Sequence, residues 1–142
     1  MTVYLLDINV LLALSDPTHV HHDAAHNWFT ITGREAWSTC PLTENGYIRI
    51  ASHPKYPNRP GDAVTALELL RQFCALDGHH FWPDEVTLRD WSIPKSHITH
   101  GHITDIYLLQ LAVYNGGKLA TLDRRIPAEV VHGGMDALHV IA

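Results

Sequence analysis

The sequence predicts an α/β fold, with helices covering both faces of a parallel sheet of four to five strands. Three observations carry that expectation. Short apolar runs alternate with stretches of helical periodicity along the 142 residues, the pattern of strands joined by helical crossovers. Aspartates close two of the runs: Asp7 ends Val3-Tyr4-Leu5-Leu6, and Asp123 follows Leu119-Ala120-Thr121-Leu122. Two more acids, Glu44 and Asp105, open helical stretches. Parallel strands place their C-terminal ends on one rim, where the following helices start and where open α/β sheets hold ligands.

Taken in order, Val3–Leu6 reads as a buried strand and Asn9–Leu14 as a short helical turn ended by Ser15-Asp16-Pro17. Between His19 and Thr32, the residues His21, Ala24, Ala25 and Trp28 recur at helical spacing and predict one buried face, with Gly33 as the stop. Ala36–Cys40 fits a second strand, and Pro41 with Thr43 suits the start of the helix that carries Glu44. Pro54, Pro57 and Pro60 make His53–Gly61 a loop. Ala63, Ala66, Leu67, Leu70 and Phe73/Cys74 outline an amphipathic helix, closed by Asp77-Gly78. His80–Trp82 is a short third strand, Thr87–Trp91 a helical turn, and Ser96–His102 a histidine-rich loop. Ile106–Tyr114 is helical and capped by Gly116-Gly117, Lys118–Leu122 is strand four, and Leu138–Ile141 is the candidate last strand.

No repeat or linker divides the chain, so residues 1–142 are expected to form one domain. A composition of 46% hydrophobic and 18% charged residues suits a soluble globular protein. No apolar run approaches the ~20 residues of a bilayer span, which argues against a membrane protein. The N-terminus lacks the pattern of a signal peptide, and Cys40 and Cys74 lack CxxC spacing. The expectation is a cytoplasmic protein with two free thiols. A net charge of −5 argues against a broadly basic nucleic-acid surface. That objection weakens if four of the fifteen acids surround a cation. Basic residues also cluster locally: Arg49, Lys55 and Arg59 lie in one stretch, and Arg124 with Arg125 follows Asp123.

Acids gathered on one rim repel one another, by roughly 3 kcal/mol for two charges ~5 Å apart at an effective dielectric of about 20. A divalent cation relieves that repulsion. The arrangement therefore points to magnesium or manganese and to chemistry on phosphate. Taken singly, each acid has a plainer reading: Asp7 caps the helix that follows it. Asp105 is harder to explain that way, because it tops the apolar stripe Leu108, Leu109, Ala112. Thr121 and Asp123, two apart on a strand, share a side, so the hydroxyl can orient the carboxylate or its water.

The ordered set Leu5-Leu6-Asp7-Ile8-Asn9, Thr43-Glu44-Asn45-Gly46, Thr104-Asp105 with Leu108-Leu109-Gln110-Leu111-Ala112, and Thr121-Leu122-Asp123 resembles the four acidic motifs of PIN-domain nucleases. The Glu44…Arg49 helix and the closing Leu-Ala-Thr-Leu-Asp strand resemble the VapC-type ribonuclease toxins of toxin–antitoxin pairs. The resemblance implies a single three-layer α/β/α PIN domain acting as a metal-dependent endoribonuclease. Water activated by Mg²⁺, with Mn²⁺ able to substitute, would be the nucleophile, leaving 5′-phosphate and 3′-hydroxyl ends. Asp7 and Asp105 would be the principal metal ligands, Glu44 and Asp123 would complete the acidic pocket, and Asn9 and Thr121 would fix the carboxylates and water. Arg49, Lys55, Arg59, Arg124 and Arg125 would be candidates for RNA contact, with solvated surface charge the plainer reading of each. The partners implied are RNA, a small antitoxin protein and a second copy of the chain. The family usually carries a further acid after its fourth motif; here Arg124, Arg125 and Ile126 stand there, which leaves one or two metal ions open.

Other readings compete. His19-Val20-His21-His22-Asp23 resembles the start of the HxHxDH motif of metallo-hydrolases, but Ala24 replaces its final histidine. His22 and His26, four apart, have the spacing of a helical zinc pair, and His97, His100 and His102 precede Asp105. Ordinary helix-surface and loop roles are favoured for all of these. A haloacid-dehalogenase-like phosphatase would end its first strand in DxD, but Asn9 replaces the second acid. Receiver domains also place Asp at strand ends, but accept a phosphoryl group rather than cleave nucleic acid. A catalytically silent PIN-like binding module would have no use for four mutually repelling acids.

Overall fold

Helical crossovers between successive strands make the whole sheet parallel. The computed structural model describes residues 1–92 and 97–142. The strands are β1 (Tyr4–Leu6), β2 (Trp37–Thr39), β3 (His79–Phe81), β4 (Lys118–Thr121) and β5 (Leu138–Val140). The helices are α1 (Ile8–Ser15), α2 (His22–Ile31), α3 (Pro41–Ala51), α4 (Ala63–Cys74), α5 (Ile103–Tyr114) and the single-turn α6 (Gly134–Ala137). Strand order is β3-β2-β1-β4-β5. The chain winds outward from β1 to β3, then returns to lay β4 on the other side of β1. The sheet's direction of travel thus reverses between β1 and β4, the position where α/β sheets open a crevice.

Side-chain alternation along the strands builds two cores. Leu5 and Leu119 point toward α5, where Ile106, Leu108, Leu109, Leu111 and Ala112 are buried with them. Leu6, Trp37 and Ala120 point to the opposite face, against Val10, Leu11, Tyr47, Ala66 and Leu70 of α1, α3 and α4. The expected three layers are therefore present. No described helix is long and apolar enough to cross a membrane.

Most elements lie where the sequence puts them, and the departures have local causes. The stretch Asn9–Leu14 extends to the two-turn helix α1, whose first N–H is taken by the Asp7 side chain. The buried face expected of His21, Ala24, Ala25 and Trp28 is displaced. The chain turns through His21, which is exposed, and α2 buries Ala25 with Trp28 and Phe29 partly covered. His80–Trp82 becomes His79–Phe81, one residue earlier. Helix α5 begins at Ile103 rather than Ile106 because a 3₁₀ turn, His100–His102, feeds directly into it. Asp105 consequently stands in the first turn, where the helix dipole favours an anion. The loop expected over Ser96–His102 has Ser96 outside the described residues.

Asp16, at the end of α1, anchors the proline-rich loop. It accepts hydrogen bonds from the Thr18 N–H (3.0 Å) and hydroxyl (2.8 Å), the Tyr56 hydroxyl (3.0 Å) and the Asn58 amide (3.0 Å). Burial works to raise this carboxyl, but the hydrogen bonds outweigh it and hold the pKa down at about 2, below the ordinary 3.8. The native state therefore gains stability from ionised Asp16 above about pH 4, and loses it as pH falls toward 2. Urea titrations at pH 5 and pH 2.5 should show wild type losing on the order of 1 kcal/mol more than Asp16→Asn, once solvent screening is allowed for. Equal losses would show that the anchor does not depend on charge.

Candidate active site

Asp7 leaves β1 at the switch point, and its carboxylate is almost fully buried, 5% exposed. Its Oδ1 accepts the Ile8 N–H at 2.7 Å and its Oδ2 accepts the Thr121 hydroxyl at 2.7 Å. Thr121, at the end of the neighbouring strand β4, is fully buried. Its oxygen in turn accepts the Asn9 amide at 3.2 Å and the Asp123 N–H at 3.1 Å. Asn9 completes the brace by accepting the Leu122 N–H at 3.2 Å. Thr121 thus orients the Asp7 carboxylate, whereas the sequence spacing suggested that it serves Asp123. The signal for this is the register, which pairs Leu6 with Ala120 and so brings the next residues side by side.

Desolvation, followed by its carboxylate neighbours, sets the electrostatics of the site. Burial raises the Asp7 carboxyl most; the Thr121 and Ile8 hydrogen bonds oppose this, and Asp123 adds to it. Asp105 is pushed up to about 6, first by burial and then by the charges of Asp7 and Asp123. The fold has therefore gathered Asp7, Asp105 and Asp123. Among the described residues, ion pairs join only Arg71 to Glu68 and Arg125 to Asp123, so neither Asp7 nor Asp105 has a cationic side-chain partner.

Glu44 keeps different company. Thr39, on the same side of β2 as Trp37, projects toward the layer of α3 and α4 and donates its hydroxyl to Glu44 Oε2 at 2.7 Å. The same hydroxyl lies 2.8 Å from His79 Nε2. Glu44, Cys74 and His79 bring ligand atoms within 4.8 Å of one another. Among the described residues this is the one group of three so closely spaced, and the Asp7–Asp105–Asp123 trio is more open.

The basic residues divide in the same way. Arg124 and Arg125 line a cleft with Asn9, His19, His21 and Asp123. The Arg125 N–H donates to Asp123 Oδ1 at 2.8 Å, while its guanidinium is 91% exposed. Arg59 lies beside Asp16, at the opposite end of α1 from Asp7. Arg49 and Lys55 are exposed on the C-terminal turn of α3 and the loop after it. Of the histidines, His22 holds the Ala13 carbonyl at 2.7 Å, tying α2 to α1. His102 accepts the Thr99 N–H at 3.1 Å within the 3₁₀ turn. Both have structural work to do, and among the described residues His22, His26, His97, His100 and His102 join no such group of metal-ligating side chains.

Residues 4–130 match the PIN domain family. The chain belongs to that family. It is 39% identical over 136 residues to Ribonuclease VapC39 of Mycobacterium tuberculosis, covering 94% of this chain and 98% of the relative. It is 38% identical to Ribonuclease VapC44 of the same organism, with 91% and 92% covered. With Ribonuclease VapC38, again from M. tuberculosis, the identity is 41%, with 84% of each covered. This PIN domain is thus of the VapC ribonuclease type.

The residues present fit the divalent ion on which PIN nucleases depend. Two desolvated carboxylates without a cationic partner among the described residues, with a third acid beside them, form an oxygen-only donor set.

Proposed function

We propose that residues 1–142 act as one PIN domain, a Mg²⁺-dependent endoribonuclease that cuts RNA at the crevice between β1 and β4. The observation that carries this reading is the pairing of buried Asp7 with Asp105, raised to about 6, at the switch point of the sheet. Asp7 and Asp105 are the principal ligands in this reading, with Asp123 and Glu44 completing the acidic set. Bound there, Mg²⁺, or Mn²⁺ in its place, supplies Lewis acidity and an activated water for phosphodiester hydrolysis.

The protein's own residues do the positioning. Thr121 and Ile8 hold the Asp7 carboxylate from both oxygens, and Asn9 locks Thr121 in the orientation that donates to Asp7. Asn9 is thereby a brace, which removes the second acid that a haloacid-dehalogenase-like phosphohydrolase would need. The Arg125 N–H fixes Asp123 while the exposed guanidinium extends along the cleft. Arg124 and Arg125 are placed to meet a phosphate backbone, and Arg49, Lys55 and Arg59 would extend the contact farther from the acids.

As a toxin of the VapC type, the protein would be held inactive by a small cognate antitoxin and would act in the cytoplasm as a homodimer. An antitoxin segment bearing Arg or Lys would compete for the same carboxylates. EDTA should abolish RNA cleavage by the purified protein, and Mg²⁺ or Mn²⁺ should restore it with 5′-phosphate ends on the products. Undiminished cleavage in EDTA, by protein free of contaminating nuclease, would refute the metal mechanism.

A further inference from the structure

We propose that Glu44, Cys74 and His79 form a binding site for a zinc-class divalent ion, and that an ion held there keeps Glu44 withdrawn from the acidic centre. The second half rests on reading Glu44 as a member of the nuclease's acidic set; the first stands on geometry alone.

The fold builds this cluster from three elements. Cys74 is the last residue of α4 and His79 the first of β3. The turn between them closes at Gly78, whose φ of +90° and close approach to the Arg34 carbonyl leave no space for a side chain. Glu44, from the first half of α3, reaches the same point because α3 packs on α4. The three ligand atoms offer one carboxylate oxygen, one imidazole nitrogen and one sulfur within 4.8 Å of one another. Bonds to Zn²⁺ of about 2.0–2.3 Å at tetrahedral angles separate ligand atoms by roughly 3.3–3.8 Å. Side-chain rotation of about 1 Å closes the set, since all three residues are only partly buried.

Charge and hydrogen bonding favour an occupant. Glu44 has no Lys or Arg partner among the described residues. Its carboxylate and the His79 ring are bridged instead by the fully buried Thr39 hydroxyl, at 2.7 Å and 2.8 Å. An ion between Glu44 and His79 would take over that bridge, and Thr39 would keep donating to the carboxylate's free lone pairs. The Cys74 thiol is raised by burial and by the Glu44 charge; a metal ion would bind it as thiolate, its proton passing to solvent.

Ligand softness separates the two centres. Asp7, Asp105 and Asp123 offer only oxygen, which suits Mg²⁺, whereas sulfur and nitrogen select zinc-like ions. The cluster lies on the α3–α4 side of the sheet, opposite α5. A Glu44 carboxylate committed there is lost to the acidic pocket, so occupancy acts as a brake on cleavage.

The test uses the full chain, freed of metal and titrated with Co²⁺. A thiolate-to-cobalt absorption band in the near ultraviolet is expected at one equivalent. It should disappear in Cys74→Ser, be displaced by Zn²⁺, and survive excess Mg²⁺. Cys40 cannot stand in, because its sulfur is fully buried at the start of α3, against Thr43. In the wild type, Zn²⁺ should protect Cys74 from iodoacetamide, read by mass spectrometry, which keeps the test independent of any variant's folding. In cleavage assays with saturating Mg²⁺, Zn²⁺ should slow wild type at least tenfold and leave Cys74→Ser unaffected. Absence of both the band and the protection would overturn the site. Equal zinc inhibition of wild type and Cys74→Ser would overturn the withdrawal of Glu44. If wild type cleaves no RNA in Mg²⁺, the nuclease reading and the withdrawal both fail, while the band and the alkylation still decide the site.

Discussion

Asp105→Asn should yield a folded protein that is more stable than wild type in EDTA and cleaves RNA on the order of 10³-fold more slowly. The loss of activity follows from the several kcal/mol that a metal ion supplies to a phosphoryl transition state, at about 1.4 kcal/mol per tenfold. An amide keeps the shape of the carboxylate but removes the charge proposed to hold the ion. The gain in stability follows from the site's own strain. The Asp105 carboxyl is raised to about 6 from the ordinary 3.8 by burial, then by Asp7 and Asp123. Between those two values the native state retains a proton that the unfolded chain has released, so wild-type stability falls as pH rises across that window. Asparagine cannot ionise, so the variant should lack this fall and be more stable by roughly 1–2 kcal/mol at pH 7, after discounting for solvent screening. Urea midpoints in EDTA at pH 4 and pH 7 check the sign. A variant that is less stable at pH 7, or that retains wild-type cleavage, would remove Asp105 from the centre. Asp7→Asn should likewise abolish cleavage and leave the fold intact.

Thr121→Val should weaken Mg²⁺ binding by about 10- to 100-fold, the usual effect of losing a group that orients a metal ligand. Valine matches threonine in shape but leaves Asp7 Oδ2, the Asn9 amide and the Asp123 N–H without their shared partner. The hydrogen bond from Thr121 is also the largest influence holding the Asp7 carboxyl down. Without it, Asp7 rises further and competes worse for a cation. Stability should fall by about 1–3 kcal/mol, the cost of unpaired buried polar groups. Calorimetric Mg²⁺ titration separates the two effects, and Thr121→Ser should restore most of the affinity by restoring the hydroxyl. Unchanged Mg²⁺ affinity in the valine variant would show that Asp7 needs no orientation.

Much of the proposed site is legible residue by residue. Asp7 and Asp123 declare themselves by ending apolar runs, and Asp105 by sitting on an otherwise buried helical stripe. The misplacement of His21 also has a local origin. Stripes through His21 and through His22 both have helical spacing, and only the turn held by Asp16 decides between them. Cys74 and His79 carry no local zinc signature, having neither CxxC spacing nor a shared helix face. The available signal was a cysteine and a histidine five apart across an Asp-Gly turn.

By itself, the sequence determined the order of strands and helices, their caps, and the placing of acids at strand and helix ends. These follow from periodicity and turn chemistry, which act over a few residues. Tertiary structure decided which ends meet. Thr121 reaches Asp7 across 114 residues of chain because β4 pairs with β1. Glu44, grouped with the other acids by order alone, turns toward Thr39 and His79 because β2 presents Thr39 to the face that α3 and α4 cover. Strand order and the face a side chain takes are settled by long-range packing, which no local pattern encodes.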